Sequence, residues 1–245
     1  MGRTRAAATS FDDAADVYER SRPGYPDEVV DWLVPDRSAH VLDLGAGTGK
    51  LTRSLVGRAA RVTAVDPSPR MLARLRAALP QVTAMAGTAE AIPLPDASVD
   101  AVVVAQAWHW VDPGRAVPEV ARVLRPGGVL GLVWNDRDES TPWVRRLGEL
   151  LAPDGPADGS RGEEHVPPTT LGPVEAMTHR WSQPVDRDRL HGLVLSRSYV
   201  ITASQERRRE LLAQVDALLA DDEAFAGPPP WSLPYVTQAW RVLRP

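Results

Sequence analysis

The stretch Val41-Leu42-Asp43-Leu44-Gly45-Ala46-Gly47-Thr48-Gly49-Lys50-Leu51-Thr52 constrains the fold more than any other part of the chain. Val41, Leu42 and Leu44 read as a short buried strand. Gly45, Gly47 and Gly49 interrupt the apolar run, and Lys50 to Leu55 resume it with helical spacing. A strand that ends in a glycine turn and opens a helix is a nucleotide-binding device. Glycine adopts backbone angles closed to other residues and leaves no Cβ in a ligand's path. A tight turn without a ligand is the plain alternative, but three glycines between positions 45 and 49 exceed what a turn needs.

Three nucleotide readings compete. A phosphate loop requires G-x-x-x-x-G-K-[ST]. Here Leu44 stands at the first glycine position and Leu51 follows Lys50, so that pattern fails at both ends. A dinucleotide fingerprint requires G-x-G-x-x-G. Gly45 and Gly47 satisfy it, but the third position is the long Lys50, where helix and strand must pack closely. The remaining pattern is acidic-x-Gly-x-Gly-x-Gly, carried by Asp43, Gly45, Gly47 and Gly49.

The rest of the chain narrows the class. Its 245 residues suffice for one large α/β domain or a core with an attached cap. A net charge of −4 without a basic block argues against non-specific nucleic-acid binding. With no cysteine, disulfides, thiolate catalysis and Cys-ligated metals are excluded. The five histidines show no metal-ligand spacing, so no metal site is expected. No apolar stretch approaches a membrane span, and the arginine-bearing N-terminus lacks a signal-peptide core. The expectation is a soluble, cytoplasmic protein with a small-molecule partner and no nucleic-acid or membrane partner.

Phe11 to Glu19 carries apolar residues at helical spacing and runs into the turn Arg22-Pro23-Gly24-Tyr25-Pro26. Asp27 is placed to cap a helix over Glu28 to Leu33. Strands are expected at Arg61–Asp66, Val82–Ala86, Val99–Ala105 and Val129–Trp134, with a turn at Arg125–Gly128. Asp66 lies about twenty residues beyond the glycine turn, where an acid meets ribose hydroxyls in nucleotide folds. A carboxylate, having acceptors only, suits two hydroxyl donors, although Asp66 could instead cap the helix that follows. Pro113 to Leu124 reads as a helix, and Pro118 suggests that its first turn lies there. Further on, a helix ends near Leu151, the stretch from Pro153 to Pro173 is loop-like, and Val174 to Trp181 could be a strand. Arg187–Val200 and Gln205–Leu219 read as helices, and Leu233–Val242 as a last strand. Alternation of strand and helix with short links implies a parallel, doubly wound sheet.

Asp43 with its three alternating glycines resembles motif I of the class I S-adenosylmethionine-dependent methyltransferases, a family whose ligand carries no phosphate. Val62 to Leu72 looks like motif II, and Arg122-Val-Leu-Arg-Pro-Gly-Gly128 resembles the element between strands four and five. The segment around Tyr18, Arg22 and Tyr25 is similar to one that folds over the cofactor in small-molecule members. The resemblance implies a mostly parallel seven-stranded sheet in a Rossmann-like methyltransferase fold, with helical cap insertions. It makes the whole chain one domain: an N-terminal lid (1–40), a cofactor core (41–135) and a C-terminal part (136–245) carrying the cap and the last, antiparallel strand.

It implies S-adenosyl-L-methionine as cofactor, held by Tyr18, Arg22, Asp43, Gly45, Ala46, Gly47, Gly49, Asp66, Pro67, Met71, Thr88, Ala89, Glu90 and Gln106. Trp108, Trp110, Asn135, Arg137 and Tyr199 would face the substrate. The His109-Trp110 and Trp134–Arg137 segments are similar to small-molecule O-methyltransferases of the trans-aconitate type. His109 is the candidate base, since the ordinary pKa of histidine suits proton transfer near neutrality. The implied reaction is in-line methyl transfer to a small-molecule acceptor, an oxygen nucleophile first. A non-catalytic S-adenosylmethionine-binding module and a nicotinamide-dependent oxidoreductase stand as alternatives.

Overall fold

The structure is a computed structural model that describes residues 22–34, 36–37, 39–151, 171–196, 200 and 203–245. The expected helix at Phe11–Glu19, Tyr18, Tyr199 and most of the loop from Pro153 lie outside the described residues.

The elements run α1 (Asp27–Leu33), β1 (His40–Leu44), α2 (Lys50–Leu55), β2 (Arg61–Asp66), α3 (Pro69–Ala78), β3 (Thr83–Ala86) and β4 (Val99–Ala105). After a 3-10 turn at Trp108–Trp110 follow α4 (Pro113–Val123), β5 (Leu124–Arg137), α5 (Pro142–Leu150), β6 (Val174–Val185), α6 (Arg187–Leu195), α7 (Gln205–Asp221) and β7 (Trp231–Leu243). The seven strands form one sheet in the order β3-β2-β1-β4-β5-β7-β6. The first four pairings are parallel: β2 with β3, β1 with β2, β1 with β4 and β4 with β5. The sheet is nevertheless mixed. At one end of β7 the Gly127 and Arg244 amides donate to the Arg244 and Gly128 carbonyls, and at the other the Asp138 amide donates to Pro234. The start of β5 thus meets the end of β7, the signature of an antiparallel pair.

Strand order reverses between β1 and β4. In a doubly wound sheet the crevice at such a reversal, outside the carboxyl ends of the strands, is where ligands bind. Val41, Leu42, Ala64, Val65, Val102 and Val103 are fully buried, as expected of parallel strands covered on both faces. One core cluster packs the α4 residues Ala116, Val120 and Val123 against β4 and β5, and a second packs α1, α2 and α3 on the opposite face.

By contacts the chain divides into two compact units. The larger holds residues 24–136, 171–179 and 236–245. The other, built on residues 137–151, 180–196 and 203–235, has its own core of Trp143, Leu147, Leu190, Leu211, Val215 and Tyr235, with Phe225 edge-on to Trp143 and Trp231.

Several local expectations are corrected. Asp27 is the first helical residue rather than the cap, because Pro26 precedes it in an extended conformation and no side chain caps α1. Pro118 lies inside α4 and not in its first turn. Asp112 sets the start by accepting from the Gly114 amide, and Pro113 takes the first position, where a missing N–H is harmless. Arg125–Gly128 is not a turn between elements but an irregularity within β5, where the register against β4 shifts between Val99 and Ala101. Gly127, with φ 78°, makes that detour.

Gly49 serves packing as well as the turn. Its φ is 91°, and a Cβ there would stand 3.0 Å from Leu75 Cγ and 3.2 Å from Leu79 Cδ1. Gly49→Ala is expected to cost about 1–3 kcal/mol through the left-handed backbone and the crowded contact. Urea unfolding should show a lower midpoint at unchanged slope. An unchanged midpoint would show that α3 yields without cost.

Candidate functional site

The three glycines after β1 take φ values of 74°, 57° and 91°, all in the left-handed region that favours glycine. Their surroundings differ. A Cβ on Gly45 would meet Ala107 Cβ at 2.9 Å, so the loop after β1 lies directly against the loop after β4. At Gly47 nothing among the described residues lies within 4 Å of where a Cβ would stand, so none of them fills the space beside the middle of the turn. The turn is tied down from below. The Gly45 and Ala46 amides both donate to the Val65 carbonyl on β2, at 2.8 and 3.1 Å.

Asp66 ends β2 and is 7% exposed. Its Oδ2 accepts from the Gly47 amide and its Oδ1 from the Ser68 amide, each at 2.8 Å. It therefore fixes the middle of the glycine turn and the start of the next one. The capping role belongs to Ser68, whose hydroxyl accepts from the Met71 amide at the start of α3. Each carboxylate oxygen has two lone pairs, so two acceptor sites of Asp66 are left after these bonds. Pro67 is exposed and Met71 half-buried beside it.

Asp43 is 1% exposed. Its Oδ2 accepts from the Thr52 hydroxyl at 2.5 Å, which joins the end of β1 to α2 and closes the two sides of the glycine turn. Its Oδ1 is buried with no hydrogen-bond partner among the described residues. Burial pushes the Asp43 carboxyl up to about 7; the Thr52 hydrogen bonds oppose this, and the charge of Asp66 adds to it. The sequence singled out Asp43 as a cofactor-binding residue, but the side chain is sealed within the sheet and acts on the turn from beneath.

The segment after β3 is held as firmly. Gly87 admits no Cβ, which would stand 2.6 Å from Pro93 Cδ. Thr88 is exposed and bridges to Ala91, while Ala89 is buried in the core. Glu90 is half-buried, and its Oε1 accepts from the Asp112 amide at 3.0 Å, a bond that holds its carboxyl below the ordinary range. An ion-pair clamp that sequence reading missed secures the rest. Glu119 accepts from the Ile92 amide and from Arg122, and Arg122 donates to the Ile92 and Leu94 carbonyls and to Asp96. The Arg122 guanidinium lowers the Glu119 carboxyl to about 2. The signal was a Glu and an Arg three apart on α4, a spacing that puts them side by side on one helix face.

At the end of β4, Gln106 takes φ 56°, an uncommon conformation for a residue with a Cβ. Its amide donates to the Val133 carbonyl and its Nε2 to the Asn135 carbonyl. The Asn135 side chain donates to the Gly24 carbonyl at 2.7 Å and accepts from the Thr237 hydroxyl at 2.5 Å, so it braces rather than projects. Trp108, expected to face the substrate, is 3% exposed and belongs to the core with Ile92 and Ala116. The 3-10 turn sends its indole inward and leaves His109 and Trp110 exposed, with ring centroids 4.7 Å apart and Trp110 78% exposed. Arg137, in the other unit, is mostly buried, its guanidinium 3.9 Å from Glu139. Arg22 is half-buried at the start of the described chain.

The structure thus brings together Gly45, Ala46, Gly47, Gly49, Asp66, Thr88, Ala89, Glu90 and Gln106 around the carboxyl ends of β1, β2, β3 and β4. Among the described residues, no group of three or more His, Asp or Glu is placed to hold a metal ion, and no helix is long and apolar enough to cross a membrane.

Residues 42–132, which carry this arrangement, match the family model described as a methyltransferase domain. An uncharacterised methyltransferase of Mycobacterium bovis is 55% identical over 238 residues, covering 97% of both chains. The chain belongs to the class I S-adenosylmethionine-dependent methyltransferases. Likeness extends beyond the core of this methyltransferase: an uncharacterised methyltransferase-like protein of Schizosaccharomyces pombe is 38% identical over 84% of both chains. A solved structure from Anaeromyxobacter dehalogenans, assigned to the type II methyltransferases, has TM-score 0.63 at 30% identity and covers 91% of this chain and 97% of that one. The YcgJ protein of Bacillus subtilis, at 20% identity and TM-score 0.57, shares the fold.

Proposed function

We propose that this methyltransferase binds S-adenosylmethionine at the carboxyl ends of β1, β2 and β4 and methylates an oxygen of a small organic molecule. The observation that carries the reading is the glycine turn. It has three left-handed glycines, no described residue within 4 Å of a Cβ at Gly47, and Asp66 fastened to its middle with acceptor sites left over. These features fit a nucleoside lacking phosphates, since the conspicuous polar group at the turn is a hydroxyl acceptor rather than a phosphate donor set.

In this reading Asp66 holds the ribose hydroxyls, the Gly45–Gly49 backbone lies under the ligand, residues 88–90 border the adenine and Gln106 lies toward the methionine end. When bound, the cofactor would supply a methyl group on a sulfonium: the acceptor oxygen would bond to that carbon in line as the carbon–sulfur bond breaks and the sulfur keeps the electron pair as a neutral thioether. The protein's own part is to hold the two partners in attack geometry, which can supply roughly 7–11 kcal/mol of the barrier. An ionised carboxylate as acceptor needs no proton removed. An oxygen acceptor is supported by 44% identity to a malonyl-[acyl-carrier protein] O-methyltransferase of Methylococcus capsulatus, over 38% of this chain and 36% of that one.

The test is incubation of the purified protein with methyl-labelled S-adenosylmethionine and pooled metabolites bearing carboxylates or hydroxyls. Label in an ester or ether is expected. Label in amines alone would contradict the oxygen acceptor, and no transfer to any pool would contradict the reading.

His109 is a pocket wall in this account, exposed beside Trp110. His109→Gln is expected to keep turnover within a few fold of the parent across pH 6–9 and to raise chiefly the KM for the acceptor. A loss of about 10²- to 10⁴-fold with a changed pH profile would make it a general base instead.

A further inference from the structure

The glycine turn rests on an acid whose environment is unfinished. Asp43 stands in register between Ala64 on β2 and Val103 on β4, so its neighbours across the sheet carry no charge. From α2 it is met by Thr52, through its neutral hydroxyl and its backbone, both of which favour the ionised form more weakly than burial opposes it, and the charge of Asp66 at the end of β2 adds to the burial effect. Its Oδ1 is buried, and among the described residues it has no donor. An ionised carboxylate in such a place would leave one oxygen unsolvated and unpaired beside a second carboxylate, whereas a protonated one is neutral. Asp66, by contrast, receives two backbone N–H groups.

We propose that Asp43 carries a proton in the free protein and gives it up when S-adenosylmethionine binds, so that cofactor binding releases a proton. This rests on the cofactor reading above. The ligand carries an ammonium and a sulfonium, and bringing net positive charge to the glycine turn favours the ionised form of the acid beneath it. The step balances: the O–H bond of the Asp43 carboxyl breaks, the electron pair stays on the carboxylate, and the proton passes to the buffer. Burial, which pushes the Asp43 carboxyl up to about 7, acts in the same direction as this assignment. The coupling makes cofactor affinity rise with pH across the range where the free protein still holds the proton. Binding proteins that use an already ionised acid show no such rise.

Calorimetric titration of the full chain with S-adenosylmethionine, in two buffers of different ionisation enthalpy, reads the proton directly. About half a proton released per cofactor is expected at pH 7 and almost none at pH 9, with affinity about five- to tenfold higher at pH 8 than at pH 6. In Asp43→Asn, a neutral side chain of the same shape, the release should vanish and the binding constant should no longer depend on pH in this range. If that variant does not fold, the two-buffer comparison on the unsubstituted protein at pH 7 and 9 decides alone. Equal apparent enthalpies in both buffers at pH 7 would overturn the coupling while leaving the cofactor reading intact, as would a folded Asp43→Asn that releases the same proton. No binding in any buffer would overturn both.

Discussion

Replacing Asp66 with alanine is expected to weaken S-adenosylmethionine binding about a hundredfold or more while leaving the sheet folded. The side chain accepts from the Gly47 and Ser68 amides and, in the proposed complex, from the ribose hydroxyls. Hydrogen bonds to a charged group are worth roughly 1.5–3 kcal/mol each, so losing two to the ligand removes about 3–6 kcal/mol of binding. Loss of the Gly47 anchor also frees the middle of the turn, which adds an ordering cost on binding. The core is spared, because Asp66 lies at the end of β2 and the buried residues Val62, Ala64 and Val65 remain. Calorimetry beside a denaturant melt separates the two effects. An unchanged dissociation constant with an intact fold would confine Asp66 to fastening the turn.

The second large effect is on stability. Burial pushes the Asp43 carboxyl up to about 7 in the folded protein, against an ordinary carboxylate value near 4 when unfolded. Between those values the folded protein binds more protons than the unfolded chain. The slope of stability against pH is therefore negative for this group: its burden is absent below about pH 4 and grows as pH rises toward 7. Relative to Asp43→Asn, the parent should lose roughly 2–3 kcal/mol of stability between pH 5 and 7.5. Comparison with the variant cancels other groups, including His40, whose lowered pKa through burial acts in the opposite sense. Urea unfolding at both pH values is the check. Parallel stability profiles for parent and variant would show that Asp43 is ionised in the folded state.

How far the site could be read beforehand follows from what local sequence encodes. Arg61–Asp66 and Val99–Ala105 appear as strands at the expected bounds because each is an apolar run closed by a proline, a polar residue or a turn. The glycine turn was legible because its φ values demand glycine at each of the three positions. Local pattern predicts β5 only over Val129–Trp134, because its first residues are held by the distant Arg244, which no local pattern reveals. Trp108 and Trp110 are two apart with identical side chains, and only the 3-10 turn decides which enters the core. The resemblance places Asn135 in the pocket, whereas its partners Gly24 and Thr237, which make it a brace, lie 111 and 102 positions away. Asp43 was legible as a motif acid but not as a buried one, because its partner Thr52 reads simply as a polar residue early in a helix.

Ligand choice separates a turn that holds a nucleoside without phosphates from one that holds a dinucleotide. Calorimetric titration of the full chain with S-adenosylmethionine, its demethylated product and NAD is the measurement. The account predicts binding of the first two with dissociation constants on the order of micromolar, about −8 kcal/mol, and no saturable binding of NAD at about millimolar concentration. Saturable NAD binding without S-adenosylmethionine binding would contradict it.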